Sequence, residues 1–329
     1  MEVLILGGTR NLGPALVAAL GARGHRVAVC NRGVTPDDLP AGIERLRADR
    51  RDRAALARAL GSRRLDAVID TTLYTGAEAA AAVSLLAGRT GHYVFVSSGQ
   101  VYLVREGVAR PFVEEDFAGA VMPEPPAGTR DHEEWAYGTG KRAAEEVLAA
   151  AAARGFPATA LRLPMVNGER DHYHRLHGYV ARLLDGGPIL VPAGDHLPIR
   201  HVDAVDVVRA IVALVESGAG RGRAFNLAQE ETVPLEEGLG ALATGLGRPL
   251  AIARAPREEL AAADLLPVCS PWSGTWMSEL DNRRSKSELG VVYTPFAATL
   301  ERLARHYRRQ PPPPGYASRP RELALAGRR

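Results

Sequence analysis

The stretch Val3-Leu4-Ile5-Leu6-Gly7-Gly8-Thr9-Arg10-Asn11-Leu12-Gly13 decides how the chain is read. Four aliphatic residues in a row predict a short strand buried on both faces. Glycines follow at once, and Leu12 to Arg23 reads as a helix. A dinucleotide fold needs glycines at this place. They make the tight turn, let the backbone approach a pyrophosphate and let helix pack on strand. The pyrophosphate then sits on the helix N-terminus, where free N–H groups and the dipole favour anions. Gly7, Gly8, Thr9, Arg10, Asn11, Leu12 and Gly13 are therefore candidate cofactor-binding residues.

Outward from that turn, strands alternate with helices. Strands are expected at Arg26 to Cys30, Ile43 to Arg47, Ala67 to Asp70, Tyr93 to Ser97 and Ala158 to Leu163. Helices are expected at Ala54 to Leu60, Gly76 to Ala87 and Glu134 to Arg154. This alternation predicts an α/β fold, a doubly wound parallel (Rossmann) sheet covered on both faces. The expected dinucleotide-binding domain covers residues 1–163 and is rejoined by about 200–228. Residues 164–199 and 229–309 would form a smaller α/β substrate domain, mostly from the C-terminal third. Residues 310–329, opened by a proline run and rich in Arg, read as a mobile tail. Residues 114–129, with three prolines, read as a loop before the long helix.

The 329 residues carry a net charge of only +3, and Arg far outnumbers Lys. With no basic run interleaved with aromatics, nucleic acid is not the expected partner. A small-molecule substrate is. Cys30 and Cys269 stand far apart without metal-like spacing, so neither a disulfide framework nor a metal site is expected. His172, His174 and His177 crowd one loop, but no Cys or paired carboxylate joins them at ligand spacing. The apolar strand that begins two residues from Met1 leaves no room for a signal peptide, and no apolar run is long enough to span a membrane. A cytoplasmic protein is expected.

The end of the second strand bears on the choice of cofactor. An acid there would bind a ribose 2′-hydroxyl, but the chain has Cys30-Asn31-Arg32. A neutral Asn31 removes repulsion against a 2′-phosphate, and Arg32 and Arg10 could pair with it. This points to NADP, with NAD held through Asn31 as the alternative. Asp49 and Arg50 could flank the adenine, and Thr71 and Thr72 the ribose side.

Chemistry enters with Ala136-Tyr137-Gly138-Thr139-Gly140-Lys141. The chain has only two lysines, Lys141 and Lys286, so Lys is expected where a compact ammonium does what a guanidinium cannot. At i and i+4 the two side chains share a helix face, and the cation favours the phenolate. The pair reads as a general acid/base for a hydroxyl proton. Asp131, Glu133 and Glu134 suit the N-terminal dipole of the same helix.

The ordered set comprises the glycine loop, Val96-Ser97-Ser98-Gly99-Gln100-Val101-Tyr102, Tyr137-x-x-x-Lys141, Leu161-Arg162-Leu163-Pro164, His201-Val202-Asp203 and Phe225-Asn226-Leu227. With it, the chain from Val3 to Gly290 resembles the extended short-chain dehydrogenase/reductase family, of the NAD-dependent epimerase/dehydratase type. The resemblance implies that Ser98 hydrogen-bonds the reacting oxygen and Tyr137 exchanges its proton. It also implies that Lys141 binds the nicotinamide ribose, and that Pro164 and Val166 border the nicotinamide. The implied activity is an NAD(P)-dependent oxidoreductase moving a hydride to or from a carbonyl or hydroxyl carbon. The alternatives are an NAD-dependent epimerase on a sugar or sugar-nucleotide and, in another class, a non-catalytic RNA-binding or cofactor-sensing module. Homodimers formed through the Tyr-bearing helix are common in the family.

Three departures narrow this. Arg10 replaces the family's middle glycine, as in its atypical branch. Gly99-Gln100 follow Ser98 where 4,6-dehydratases carry an Asp-Glu pair, and Gln100 cannot act as an acid. Leu197 and Ser278 occupy the places where sugar-nucleotide epimerases carry diphosphate-clamping arginines.

Overall fold

The computed structural model describes residues 1–327; Arg328 and Arg329, the end of the expected tail, lie outside the described residues. The chain divides into two compact units. The first comprises Met1–Met165, Ala204–Ala228 and Ser278–Val292, and the second Val166–Asp203, Gln229–Met277 and Tyr293–Arg329.

In the first unit the order is β1 (Glu2–Leu6), α1 (Gly13–Ala22), β2 (Arg26–Asn31), β3 (Glu44–Arg47), α2 (Arg53–Leu60), β4 (Ala67–Asp70), α3 (Gly76–Leu86), β5 (Tyr93–Val96), the short α4 (Gln100–Leu103), α5 (Arg130–Ala152) and β6 (Ala158–Arg162). The second unit holds β7 (Val166–Asn167), α6 (Arg175–Asp185), β8 (Ile189–Pro192) and β9 (Val202–Asp203). The chain returns to the first unit for α7 (Ala204–Ser217) and β10 (Arg223–Asn226), and to the second for α8 (Leu235–Leu246), β11 (Ile252–Ala255) and α9 (Arg257–Ala262). It ends with α10 (Arg283–Leu289) in the first unit and α11 (Phe296–Tyr307) and α12 (Arg319–Ala326) in the second.

The first unit is built on a seven-stranded parallel sheet ordered β10-β6-β5-β4-β1-β2-β3. Strand order reverses between β1 and β4, the switch point outside whose carboxyl ends α/β sheets bind ligands. Both β1 faces are buried, and Val3, Leu4, Ile5 and Leu6 are each at most 2% exposed, which is why the run lacks alternation. Leu4, Leu6, Val68, Tyr93 and Phe95 pack with Ala79, Ala82, Ala144, Leu148 and Ala151 in one core. Each large side chain buried there contributes about 1.5–3 kcal/mol. Small alanines on α3 and α5 let those helices lie close to the sheet.

α5 starts at Arg130, a turn before the expected Glu134, because the Thr129 side chain caps it by accepting from His132 N–H. Tyr137 therefore lies in the body of the helix, not its first turn. The loop over residues 114–129 is not loose at its start: Glu114 is buried and accepts from Asn226 N–H at 2.8 Å.

Two expectations about the domains need correction. Residues 278–292 join the first unit, not the substrate domain, because Leu280 is buried with Val101, Tyr102, Phe112 and Ala228 and Asn282 donates to Ala228 O at 2.8 Å. The tail is not loose either, since α12 lies within it. Arg182 Nε donates to Glu322 Oε2 at 2.8 Å, and Arg319 Nε to Asp185 Oδ2 at 2.7 Å. Arg319, one of the arginines that suggested a solvated segment, is an ion-pair partner of Asp185 and Glu322. Among the described residues no helix is long and apolar enough to cross a membrane.

Candidate active site

The glycine turn lies where the sheet order reverses. Gly7 and Gly8 have φ of +103° and +88°, a region that side chains avoid. A Cβ on Gly13 would sit 2.3 Å from the Gly8 carbonyl carbon, and one on Gly7 would sit 2.4 Å from Thr71 Oγ1. Thr71 is itself pinned, donating from Oγ1 to Leu6 O at 2.9 Å. Among the described residues the N–H groups of residues 8–12 donate to no protein acceptor, and no side chain caps α1. The turn thus aims unpaired donors and a helix N-terminus at one point, which fits a pyrophosphate.

Asn31, at the end of β2, is bonded through both ends of its amide. Its Nδ2 donates to Gly7 O at 3.1 Å, and its Oδ1 accepts from Gly33 N–H at 2.9 Å and from Arg47 Nη1. The neighbouring N–H and C=O groups set which end of the amide is which. Arg10 and Arg32 are exposed and make no hydrogen bond or ion pair among the described residues.

Asp49 and Arg50, the two residues expected beside the adenine, both have side-chain partners within the protein. Asp49 accepts from Arg51 at N–H, Nε and Nη2, a bonding that holds its carboxyl down at about 2. Arg50 turns inward: its Nη1 donates to the buried Asp70 at 2.6 Å and to Thr72 Oγ1 at 3.3 Å. Asp70 also takes the Tyr93 hydroxyl and Thr72 N–H.

Helix α5 brings Lys141 to Val96, two residues before Ser98. A Cβ on Gly138 would lie 2.8 Å from Gln100 O, and one on Gly140 would lie 2.5 Å from Tyr74 O. Gly138 therefore lets α5 press against the segment that carries Ser98, and Gly140 lets it press against the one that carries Tyr74. Lys141 is 2% exposed, and its Nζ donates to Val96 O at 3.0 Å, two residues before Ser98. The same ammonium lies 5.7 Å from the Tyr137 ring centroid and 4.8 Å from those of Tyr74 and Phe95. Burial pushes the Lys141 ammonium down to about 8, with Asp70 and Glu145 opposing that shift. Tyr137, in contrast, presents its ring outward, 38% exposed.

Ser98 accepts from Gln100 N–H at 3.2 Å, which leaves its own hydrogen free to point elsewhere. The Gln100 side-chain amide donates to Glu134, whose carboxyl is pushed up chiefly by burial. Glu134 thus does more than complement a dipole. A Cβ on Gly99 would lie 2.2 Å from Ser278 Oγ, so Ser278 sits beside the Ser98 turn. Beneath lies a buried network in which Ser97 donates to Glu145 at 2.5 Å and Arg162 to Glu145 at 2.6 Å. Arg162 also donates to the Tyr102 hydroxyl at 2.6 Å, and Tyr102 to Asn226 at 2.8 Å. Tyr102, Arg162 and Asn226 are framework, so these residues of three sequence motifs are explained by burial and hydrogen bonding.

Sequence reasoning missed Tyr74, Asp70, Arg47 and Glu145. Only Asp70, an acid ending an apolar strand, carried a signal. Pro164 follows β6 in the first unit, and Val166 opens β7 in the second. In the second unit, His177 stacks on Tyr307 with centroids 4.5 Å apart. Among the described residues no group of three or more His, Cys, Asp or Glu is arranged to hold a metal.

The model of the NAD dependent epimerase/dehydratase family matches residues 3–83 and 77–228. A 2′-dehydrokanamycin reductase from Streptomyces kanamyceticus is 29% identical, over 99% of this chain and 84% of that protein. A chloroplast stem-loop binding protein of 41 kDa from Arabidopsis thaliana is 26% identical, over 78% of this chain and 67% of that protein. A solved dTDP-glucose 4,6-dehydratase from Bacillus anthracis, in complex with NAD, superposes with a TM-score of 0.74 at 14% identity, covering 94% of this chain and 97% of that one.

Proposed function

The chain belongs to the NAD-dependent epimerase/dehydratase family, and from that premise we propose that it is an NADP-dependent reductase of a small-molecule ketone, with Tyr137 as the proton donor. The observation that carries this reading is the ammonium of Lys141, bonded to Val96 O and facing the Tyr137 ring from the same helix. In an oxidoreductase of this kind the nicotinamide, when bound, supplies the hydride. Everything else is left to side chains. Ser98 donates a hydrogen bond to the substrate oxygen. Tyr137 gives its hydroxyl proton to that oxygen as negative charge develops there, and Lys141 stabilises the phenolate left behind. The phosphates would be held by the free N–H groups of residues 8–12 and the N-terminus of α1. Thr71 and Thr72 would line the ribose side, and Pro164 the nicotinamide.

NADP is favoured over NAD because Asn31 has no acceptor capacity left. An amide oxygen has two lone pairs, and Gly33 N–H and Arg47 take both. A ribose 2′-hydroxyl would find no carboxylate there. A reductase is favoured over a sugar-nucleotide epimerase because Leu197 and Ser278 cannot clamp a diphosphate. The similarity to the Streptomyces reductase over nearly the whole chain supports the same choice.

The test is steady-state oxidation of NADPH and NADH with a panel of cyclic ketones, in wild type and Tyr137→Phe. The variant should lose about 10²–10⁴-fold in kcat/KM while still binding cofactor. The similarity to the chloroplast stem-loop binding protein favours a second reading, a binding role without catalysis. If Tyr137→Phe leaves every measurable function intact, that second reading replaces the first.

A further inference from the structure

We propose that Arg47, at the carboxyl end of β3, is a cofactor-selecting residue that pairs with a dinucleotide 2′-phosphate and occupies the Asn31 acceptor that an unphosphorylated ribose hydroxyl would use. The inference rests on the NADP reading above and deepens it by assigning a residue on the neighbouring strand.

Arg47 and Asn31 stand opposite each other in the parallel β2–β3 register. From there Arg47 Nη1 donates to Asn31 Oδ1. The stem and head of Arg47 also lie across Gly33: a Cβ there would come within 2.9 Å of Arg47 Nε and 3.0 Å of its Cδ. Gly33 has a φ of +74°, so the turn after β2 both requires glycine and leaves the guanidinium a bare surface to cross. The guanidinium is thereby held over the turn that follows β2, where the adenosine ribose would lie if the dinucleotide occupies the switch point.

A guanidinium carries five N–H donors in a rigid fork, and the bond to Asn31 uses one. Arg47 is exposed, so the remaining donors face solvent. They are suited to a dianion, which pairs with guanidinium groups through short, charge-assisted bonds. Arg32, next in sequence to Asn31 and exposed, supplies a second cation. Asp49, after β3, is neutralised by Arg51 and does not repel a phosphate as a free carboxylate would. The selection is therefore double. Arg47 attracts the phosphate, and the same side chain occupies the acceptor that a 2′-hydroxyl would use.

The experiment measures dissociation constants by titration calorimetry for NADPH, NADH and 2′,5′-ADP on wild type, Arg47→Ala and Arg47→Lys, with melting temperatures as a folding control. Wild type should bind NADPH at least about tenfold more tightly than NADH. Arg47→Ala should lose at least about tenfold for NADPH and for 2′,5′-ADP, while NADH, with the Asn31 acceptor freed, should bind as tightly as to wild type or more tightly. Arg47→Lys, which keeps the charge but loses the fork, should fall between. If wild type prefers NADPH and Arg47→Ala keeps that preference, or weakens both dinucleotides equally, this inference fails while the NADP reading survives. If wild type prefers NADH, both fail together.

Discussion

Lys141 Nζ lies 4.8 Å from the centroid of the Tyr74 ring, and Tyr74 in turn lies 6.2 Å, centroid to centroid, from Tyr137. An ammonium that is 2% exposed is thus lodged against two phenol rings and the Phe95 ring, with Val96 O as its hydrogen-bond acceptor. Aromatic faces and one carbonyl replace water only in part, and the cost of that dehydration lowers the pKa to about 8.

Function and stability should therefore diverge at this residue. Lys141→Met removes a buried charge whose depressed pKa corresponds to a penalty of about 3 kcal/mol, and leaves Val96 O unpaired at a cost of about 1–3 kcal/mol. The variant should lose at least about 10²-fold in kcat/KM, yet unfold in urea at the wild-type midpoint or above it. Destabilisation by more than about 1 kcal/mol would show that the ammonium contributes to the fold. The pH dependence has a definite sign. Activity that needs the ammonium should fall as pH rises through about 8. Between there and the unfolded value of 10.5, the unfolded chain keeps a proton that the folded chain has lost, so this residue's contribution to stability rises with pH.

His92 should make the protein sensitive to acid. Its ring is buried between Leu214 O at 3.1 Å and Thr159 Oγ1 at 2.8 Å, and burial holds it down at about 4 against an ordinary 6.5. As pH falls below 6.5 the unfolded chain takes up a proton that the folded chain refuses. Stability drops by about 2 kcal/mol from this residue between pH 8 and pH 5. Urea titrations of wild type and His92→Gln at the two pH values measure it. The loss should be about 2 kcal/mol smaller in the variant; equal losses would rule the residue out as the cause.

Arg182 and Glu322 form an ion pair in which neither side chain is more than 1% exposed. Glu322→Ala leaves the buried guanidinium without its counter-charge and should cost about 3–5 kcal/mol. Arg182→Met combined with Glu322→Leu should recover most of it, since no charge is then left unpaired. A double variant as unstable as the single one would mean that the pair itself, not its dehydration, holds α12 in place. Chemical denaturation of the three proteins decides between these outcomes.

The residues near the amino terminus could be read directly because local chemistry specifies them. A run of four aliphatic residues, glycines at 7, 8 and 13, and a helix after them permit few conformations, and the left-handed angles at Gly7 and Gly8 follow from that demand. The pairing of Tyr137 with Lys141 was equally legible, since a period of 3.6 residues puts i and i+4 on one face. The sequence also suggested the NADP preference, through the missing acid at Asn31.

Long-range pairing decided the rest. Nothing in the sequence near Asn31 announces Arg47, sixteen positions away and adjacent only through strand register. Glu134 reads locally as a helix-dipole partner, and only packing of α5 on the Ser98 segment brings it to Gln100. Tyr102 and Arg162 look like motif residues with chemistry to perform, yet burial makes them framework. The arginine-rich tail reads as mobile, yet Arg319 in it donates to Asp185 on α6 and to Glu322 on α12. Sequence by itself determined the alternating strands and helices, the glycine turn and the shared helix face of Tyr137 and Lys141, because each depends on neighbours within a few residues. Which polar side chains face ligand and which face each other was decided only by the tertiary structure, because hydrogen bonds and ion pairs between distant segments exist only after the sheet has brought those segments together.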